Sequence, residues 1–451
     1  MNYIFDILLL IGGLSLFLFG MNIMGEALER RAGSGLKNIL GKMTTHKFLG
    51  FLTGLAVTAI IQSSSATTVM VVGFVNSGLM TLGQAINVIM GANVGTTITA
   101  WILSLGGISS SNVFVKLLKP TSFTPVLALI GIVFYMFTKS RKKKDTGTIL
   151  LGFATLMFGM DTMSDSVAFL EEIEGFRQLF VMFQNPILGV LAGALLTAIL
   201  QSSSASVGIL QALANSTSSI TYGSAIPIIM GQNIGTCVTA LISSVGTNKN
   251  ARRAAFVHLS FNVIGSVILL SAFSVIKYTA APAILSEQVG ILGIPLCHSA
   301  FNLLCTGIMF PMGAFLEKLA HKAIPDSKEP EKVSLLDERL LATPSLALAR
   351  CRALARDMAK TSHESVRVSL DALKNGYTEK RFQTVKDYEE ETDRFEDELG
   401  TYLVKLSSHA VGENESAEAA MMLRVIGDYE RIADHSVNLI ESAEELKQKG
   451  I

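Results

Sequence analysis

Two nearly identical stretches, AIIQSSSATT at 59–68 and AILQSSSASV at 198–207, interrupt apolar segments with one Gln and three Ser. The apolar arms beside them are too short to cross a bilayer, which takes roughly 17–25 residues. These arms occupy 48–61, 66–75, 187–200 and 205–214. Backbone groups that a helix break frees in hydrocarbon need polar partners, which Ser and Gln supply. The pattern therefore predicts two re-entrant helical hairpins, each with a Q-S-S-S tip.

The duplication extends well beyond the tips. A shift of 139 residues aligns LFLFGMNIM with TLMFGMDTM and LGFLTGLAVTAIIQSSSA with LGVLAGALLTAILQSSSA, and a shift of 140 aligns IMGANVGTTITA with IMGQNIGTCVTA. We place repeat 1 at about 4–138 and repeat 2 at about 148–276. Three full spans precede the second copy, and an odd number reverses its direction. The two repeats are therefore predicted to be inverted, with broken helices that meet near the midplane as in secondary transporters.

The rest of residues 1–325 is dominated by apolar spans. Only 16% of the chain is charged and the mean hydropathy is +0.45, whereas soluble domains carry about 25% charged residues. Full spans are predicted near 4–24, 82–103, 122–138, 148–165, 222–245, 255–276 and 290–317. The last of these is an extra span outside the two repeats. We therefore expect an all-α, multi-pass membrane domain at 1–325.

The distribution of basic residues predicts an orientation. If both hairpins return to the side that they entered, 15 of the 19 Lys and Arg residues of 1–325 lie on one side. The positive-inside rule then puts the N-terminus outside and the segment after the last span in the cytoplasm. We accordingly expect a protein of the plasma (inner) membrane.

Residues 326–451 have a different composition. This tail holds 18 basic and 26 acidic residues, and its charged and apolar positions alternate at helical spacing. We predict three long amphipathic helices near 331–375, 378–408 and 415–448. The tail is therefore expected to be a soluble helical domain on the cytoplasmic side.

The tips have the chemistry of an anion site. Half-helix N-termini present unpaired N–H groups and a positive dipole end, and Ser hydroxyls add donors. Neither Q-S-S-S segment contains Lys or Arg, so neutral donors and a co-bound cation such as Na⁺ would hold the anion. The predicted anion-binding residues are Gln62, Ser63, Ser64, Ser65, Gln201, Ser202, Ser203 and Ser204. The alternative is that these side chains only cap half-helices.

A second polar pair, GANVGTT at 91–97 and GQNIGTC at 231–237, lies inside full-length spans. Two Gly residues per copy weaken a helix, so an unwound point could coordinate a cation. The residues predicted to bind sodium or line the site are Asn93, Thr96, Thr97, Asn233 and Thr236. Close helix packing through small residues is the alternative, and both can hold together.

Few other residues suggest chemistry. Asp161 is a carboxylate near the end of a span, where its counterpart in repeat 1 is Asn22. His258 and His298 are expected to be packing residues instead of proton relays. In the tail, acidic pairs at i and i+4 share a helix face and could bind metal, although solvated or ion-paired carboxylates are the commoner outcome. These low-priority metal ligands are Glu389, Asp393, Glu430 and Asp434.

The twin Q-S-S-S motifs, followed by MGANVGTT and MGQNIGTC, resemble the type II sodium-dependent phosphate cotransporter family over about residues 1–320. The tail resembles one three-helix repeat of the PhoU family through ERIADHSVNLIE, and this layout is that of bacterial members. The resemblance implies that inorganic phosphate is the substrate and binds between the two tips. It also implies that Na⁺ drives transport and that the mechanism is alternating access. Ala66 and Ala205 follow the serines where animal members tend to carry a hydroxyl, which leaves the ion count open.

The resemblance implies no organic cofactor and no nucleic acid, with the lipid bilayer as surroundings. It leaves open a homo-oligomer or a phosphate-signalling partner for the tail. Two rivals have their own rationale. An intramembrane hydrolase would use a tip Ser with His258 or His298, but the sequence lacks G-x-S-x-G and a duplicated nucleophile serves no purpose. The other rival is a sodium-coupled transporter or channel for another small anion or solute.

Overall fold

The computed structural model describes residues 3–42, 46–105, 120–167, 170, 173–326, 336–342, 344–408 and 413–450. It divides into two compact units, Met1–Glu331 and Lys332–Ile451. Within the described ranges every regular element is a helix, and none is a β-strand. The protein is therefore all-α, as the hydrophobic pattern predicts.

The described part of the first half of the membrane unit contains five helices. They are α1 Tyr3–Lys42, α2 Lys47–Ile61, α3 Ser64–Asn76, α4 Leu82–Ser104 and α5 Pro120–Phe137. Both α2 and α3 are short, and two residues separate them. This is the helix–break–helix layout that the first Q-S-S-S stretch predicts.

The second half repeats that order and then continues. Its helices are α6 Arg141–Val167, α7 Glu174–Met182, α8 Pro186–Leu200, α9 Ser203–Ser216, α10 Tyr222–Gly235, α11 Cys237–Ser243, α12 Lys249–Thr279, α13 Gly293–Met309 and α14 Gly313–Ala323. The short helices α8 and α9 correspond to α2 and α3. The predicted extra span at 290–317 is divided between α13 and α14 by a single 3₁₀ turn.

Among the residues that the structure describes, five helical segments are long and apolar enough to cross a membrane: Ile4–Arg31, Leu82–Ser104, Tyr222–Ser243, Lys249–Thr279 and Gly293–Ala323. The other two predicted spans, near 122–138 and 148–165, also form helices. However, the described apolar part of α5 covers only Ser122–Phe137, and α6 starts with a basic run. The protein is thus a multi-pass membrane protein, and the crossing by α5 and α6 stays a prediction.

Glycines bring α1 and α6 into direct backbone contact. A Cβ atom on Gly13 would lie 3.1 Å from the carbonyl oxygen of Gly159, and one on Gly20 would lie 2.7 Å from that of Gly152. In the repeat alignment Gly13 corresponds to Gly152 and Gly20 to Gly159. The first glycine of each repeat therefore contacts the second glycine of the other repeat: Gly13 contacts Gly159, and Gly152 contacts Gly20. A local two-fold axis produces this reciprocal pairing. The two helices are therefore antiparallel at this crossing.

The tail forms a bundle of three long helices: α15 Pro344–Asn375, α16 Glu379–Ser407 and α17 Glu413–Gln448. Each packs against the other two. The predicted first helix, 331–375, begins too early. Within the described part, residues 338–342 form a 3₁₀ turn and the helix starts at Pro344. Proline suits a first helical turn because it has no N–H to leave unpaired, and it restricts the residue before it.

Candidate functional site

The first Q-S-S-S segment breaks the helix at Gln62. This residue has left-handed backbone angles, φ 62° and ψ 22°, and its N–H donates to the Thr58 carbonyl at the end of α2. The Thr58 and Thr67 hydroxyl oxygens then lie 3.0 Å apart across the break. Residues nine apart in a continuous helix would be separated by about 13 Å along the axis. The chain therefore doubles back at this tip.

The second segment has the same local geometry. Gln201 takes φ 54° and ψ 22°, and its N–H donates to the Thr197 carbonyl. Gln62, Gln201 and Ala281 are the three non-glycine residues of the described chain with positive φ. A left-handed Gln is uncommon, because its Cβ crowds the backbone. Because the left-handed Gln recurs at matched positions of the two repeats, it is part of the structure of both tips.

Two of the six serines act as helix caps. Ser63 Oγ accepts a hydrogen bond from the Ala66 N–H at 3.1 Å. Ser202 Oγ accepts the equivalent bond from the Ala205 N–H at 3.2 Å. Ser63 and Ser202 therefore cap the helices that follow them. A hydroxyl that accepts a cap bond still has its proton to donate, so anion binding by these two serines stays a prediction.

Both tips line one cavity of about 420 Å³, which we call the tip cavity. All eight residues predicted to bind the anion lie on its wall, and Ser65 Oγ donates to the Gln201 carbonyl at 3.4 Å, linking the two tips. Segments about 139 residues apart in the chain thus meet at one point. The structure brings the complete predicted set together.

The cavity wall is rich in hydrogen-bond donors that carry no charge. Helices α3 and α9 begin at Ser64 and Ser203, so the first turns of both lie at the cavity. Within the described chain, the hydroxyls of Ser64, Ser203 and Ser204 make no hydrogen bond. No lysine or arginine is among the lining residues. Such a wall suits an oxyanion held by neutral donors and helix N-termini.

Helix α1 contributes a third side of the cavity that the sequence analysis did not predict. Its lining residues are Leu18, Met21, Asn22, Gly25, Glu26 and Glu29. Asn22 Nδ2 donates to Glu26 Oε1 at 2.9 Å, and Arg30 lies 3.6 Å from Glu26. The duplicated stretch FGMNIM was a signal for this helix, because it extends the repeat upstream of the tips. The carboxylates of Glu26 and Glu29 suit a cation, and Arg30 offsets part of the Glu26 charge.

The prediction of an unwound point is wrong for the first Gly-Asn segment, whereas the second is interrupted at a single residue, Thr236. Helix α4 is continuous through 91–97, and Thr236 between α10 and α11 keeps helical angles of −58° and −28°. The glycines serve close packing instead. A Cβ on Gly91 would lie 1.9 Å from the Phe51 carbonyl oxygen, and one on Gly231 would lie 1.9 Å from that of Val190. Close packing therefore accounts for these glycines in both segments, and sodium binding by the polar residues beside them stays a prediction.

The polar residues of these segments do not reach the tip cavity. Four of these side chains donate hydrogen bonds to backbone carbonyls of their own helix, and they belong to Thr96, Thr97, Asn233 and Thr236. Asn93 instead contacts α12, where its Oδ1 lies 3.3 Å from His258 Nε2. This contact agrees with a packing role for His258. Asp161 is half-buried on α6 and also lies outside the tip cavity.

In the tail, the structure groups three of the four predicted metal ligands. Carboxylate oxygens of Glu389, Asp393 and Asp434 lie within 4.8 Å of one another. Burial, together with repulsion from Asp434, raises the pKa values of Glu389 and Asp393. Glu430 lies outside this group, and burial with repulsion from Asp434 raises its pKa as well. The arrangement concentrates negative charge on one face of α16 and α17.

Comparison with known proteins gives matches in both units. The family model described as Na+/Pi-cotransporter matches residues 16–165 and 171–294, and the PhoU domain model matches 355–443. YjbB of Escherichia coli K12, named as a candidate inorganic phosphate export protein, is 26% identical over 94% of this chain and 76% of its own length.

Two further relatives match parts of the chain. The uncharacterized protein YqeW of Bacillus subtilis is 30% identical over 68% of this chain and 95% of its own length. The human sodium-dependent phosphate transport protein 2B is 38% identical over 103 residues, which are 22% of this chain and 15% of its own. No solved structure matches the chain. The family and the named relatives are those of transporters, and not of enzymes.

Proposed function

Because this chain belongs to the Na+/Pi-cotransporter family, we propose that it carries inorganic phosphate together with Na⁺ across the plasma membrane. Phosphate binds in the tip cavity, between the two Q-S-S-S tips. Family membership supports phosphate transport in general. The convergence of all eight predicted residues on one cavity supports this particular site.

Phosphate recognition follows from the donors on the cavity wall. The unbonded hydroxyls of Ser64, Ser203 and Ser204 donate to phosphate oxygens, and the N-terminal N–H groups of α3 and α9 add to them. Two helix dipoles of the same sign at one anion stabilise it without a fixed positive charge. A neutral site of this kind releases its ligand more readily than an arginine clamp would, which suits a carrier.

Sodium offsets the negative charge of the substrate. The cavity contains no basic residue but does contain Glu26 and Glu29 from α1. Gln62 Oε1 is buried without a hydrogen-bond partner and belongs to a residue on the same wall. Carboxylate and amide oxygens are ligands that a hard cation prefers. Na⁺ held among these oxygens makes phosphate binding depend on sodium, which is the basis of coupling.

The two repeats supply the conformational change. In this proposal they are inverted in the membrane, and the reciprocal glycine contacts between α1 and α6 support that relation. Rocking of one repeat against the other would open the tip cavity to each side in turn. The N-terminus lies outside and the tail lies in the cytoplasm, in keeping with the distribution of basic residues.

The direction of net transport depends on the gradients. A sodium-coupled carrier moves phosphate inward when the inward Na⁺ gradient is the stronger force, and outward when the phosphate gradient is. The name of YjbB refers to export, so we propose that the same carrier works in either direction. The tail, with its PhoU match, serves as a regulatory body, and the acidic group around Asp434 is its proposed metal site.

The test is uptake of labelled phosphate into proteoliposomes that contain the purified chain. We expect an inward Na⁺ gradient to drive accumulation, and K⁺ in place of Na⁺ to abolish it. Arsenate should compete because it has the same shape and charge, while sulfate should not. Equal uptake in Na⁺ and K⁺ would contradict sodium coupling. Better competition by sulfate than by arsenate would favour a carrier for another anion.

A further inference from the structure

Helices α12 and α13 carry the same polar pattern over nine residues, HLSFNVIGS at 258–266 and HSAFNLLCT at 298–306. Polar residues recur at i, i+4 and i+8, a spacing that aligns them along one face of a helix. We call His258, Asn262 and Ser266 the α12 row. The α13 row consists of His298, Asn302 and Thr306. The two helices pack against each other.

The α12 row finds partners on neighbouring helices. His258 Nε2 lies 3.3 Å from Asn93 Oδ1. Asn262 Nδ2 donates to Cys237 Sγ at 3.2 Å, and Ser266 Oγ donates to the Met230 carbonyl oxygen at 3.5 Å. Only His258 Nδ1 in this row is buried without a partner. The α12 row therefore joins α12 to α4, α10 and α11 as a structural element.

The α13 row lacks such partners. His298 Nδ1, Asn302 Oδ1 and Thr306 Oγ1 are buried and make no hydrogen bond within the described chain. The three residues are only 1%, 1% and 7% exposed. Asn302 Nδ2 donates to the His298 carbonyl at 2.9 Å, so the free end of the amide is its oxygen. Unsatisfied polar groups are costly in a membrane-spanning helix, so a polar species beside the α13 row would remove that cost.

The chemistry of the free atoms identifies the class of ligand. An amide oxygen and a hydroxyl oxygen one helical turn apart are neutral ligands of the kind that a hard cation prefers. Helix α13 contains no charged residue, so a divalent cation would lack the carboxylates that it normally needs. An anion would be repelled by the Asn302 oxygen, which can only accept, and would find donors only in the Thr306 hydroxyl and in one tautomer of His298. A monovalent cation fits these constraints.

We propose that Asn302 and Thr306 bind a Na⁺ ion, with His298 Nδ1 accepting a hydrogen bond from its hydration water. None of the three residues lines the tip cavity, so this site is separate from the phosphate site. The choice of Na⁺ over other monovalent cations rests on the sodium coupling proposed above. The cation site itself rests on the unpartnered α13 row.

The experiment measures Na⁺ binding to the full-length chain in detergent, without phosphate. Thermal unfolding midpoints and equilibrium binding of labelled Na⁺ are followed as Na⁺ replaces choline at constant ionic strength, with a parallel K⁺ series. The variant Thr306→Val keeps the shape of the side chain but removes the hydroxyl ligand. Losing a contact to a charged group weakens binding roughly tenfold or more. The matched change in the α12 row, Ser266→Ala, should leave Na⁺ affinity unchanged.

A second variant keeps the proposal testable if Thr306→Val folds poorly. Asn302→Asp puts a carboxylate on the ion and should increase both Na⁺ affinity and Na⁺-dependent stabilisation. Wild-type Na⁺ binding in both α13 variants would overturn the proposal and leave water as the occupant. Equal binding of K⁺ would overturn the assignment to Na⁺. Na⁺ in the tip cavity contributes equally to the wild type and to the α13 variants, so the difference between them measures this site, and a failure of the tip cavity to bind phosphate would not change that difference.

Discussion

The two Q-S-S-S tips share a backbone but differ in their surroundings. Gln62 is 6% exposed and donates through Nε2 to the Ala59 carbonyl. Gln201, at the matched position, is exposed and takes nearly the same backbone angles. Repeated residues therefore determine the turn, while the elements packed around each tip determine its access to solvent.

The hydroxyls behind the tips differ in the same sense. Thr58 and Thr67 bond to each other across the first break. The hydroxyls of their counterparts, Thr197 and Ser206, are buried and have no hydrogen-bond partner within the described chain. The first tip is thus closed by a bond that the second lacks. Such asymmetry between equivalent halves is what we expect of a carrier in one of its two states.

The largest loss of stability should come from replacing the glycines on which the arms of the two tips pack. It should be equal in the two repeats. Gly91→Ala and Gly231→Ala each place a methyl group about where a backbone carbonyl already lies. Because backbone cannot move as a side chain can, we expect a loss of about 3 kcal/mol or more in each variant. Thermal unfolding in detergent measures this.

Gly12→Ala is the matched control, since nothing lies within 4 Å of its would-be Cβ. It should retain the wild-type unfolding midpoint or raise it slightly, because alanine favours a helix more than glycine does. A large loss from Gly91→Ala with none from Gly231→Ala would show that the two halves are not packed alike.

The caps should give the next largest effect, again equal in both tips. Ser63→Ala and Ser202→Ala each remove a hydroxyl that accepts a bond from the third residue of the following helix. Loss of such a cap costs about 1 kcal/mol. Denaturation curves of the two variants should superimpose. A cost confined to one of them would mean that only one tip depends on its cap.

The hydroxyls behind the tips should separate the two copies. Thr58→Val removes the bond to Thr67 and should cost roughly 0.5–1 kcal/mol. Thr197→Val removes a buried hydroxyl without a partner and should be neutral or stabilising. The comparison is made by unfolding in the same detergent. Equal destabilisation would indicate that both tips form the bond in solution.

The stability of the tail, which lies outside the two repeats, should depend weakly on pH, whereas the stability of the tips should not. Burial and mutual repulsion raise the pKa values of Glu389, Asp393 and Glu430. A raised carboxyl pKa means that the folded state binds more protons, so its stability falls as pH rises through that range. Acidification from pH 7 to about 5 should therefore strengthen the tail.

Hydrogen exchange of α16 and α17 in the full chain, corrected for intrinsic rates, measures that change. Glu389→Gln should reduce the response because it removes one of the three groups. Glu398→Gln, on the same helix but outside the acidic group, should not. Protection that increases from pH 5 to pH 7 would have the opposite sign to this prediction.

Sequence patterns identified the tips because polar residues in a short apolar arm have few structural explanations. The helix breaks therefore fall at Gln62 and Gln201, as the motif predicts. The prediction for 91–97 was wrong because glycine has two opposite meanings. It weakens an isolated helix, but it also permits close contact, and only the position of the Phe51 backbone decides between them.

The α1 side of the tip cavity could not be predicted for a related reason. Glu26 lies on an ordinary-looking helix, and nothing in its local sequence shows that the two tips pack beside it. Contacts between segments far apart in the chain depend on the assembled fold. The unpartnered α13 row became visible only in the same way, since its sequence matches the α12 row, in which only His258 Nδ1 lacks a partner within the described chain.

The central claim is that both tips hold a single phosphate, and phosphate affinity in matched serine variants tests it most directly. We would measure phosphate-dependent thermal stabilisation of Ser64→Ala and Ser203→Ala in saturating Na⁺, with the cap variant Ser63→Ala as control. Each lost donor to a charged ligand should cost about 1.5–3 kcal/mol, or roughly 10- to 150-fold in affinity. Ser63→Ala should lower stability with a smaller effect on affinity. If either Ser64→Ala or Ser203→Ala folds and keeps wild-type phosphate affinity, the shared site is contradicted.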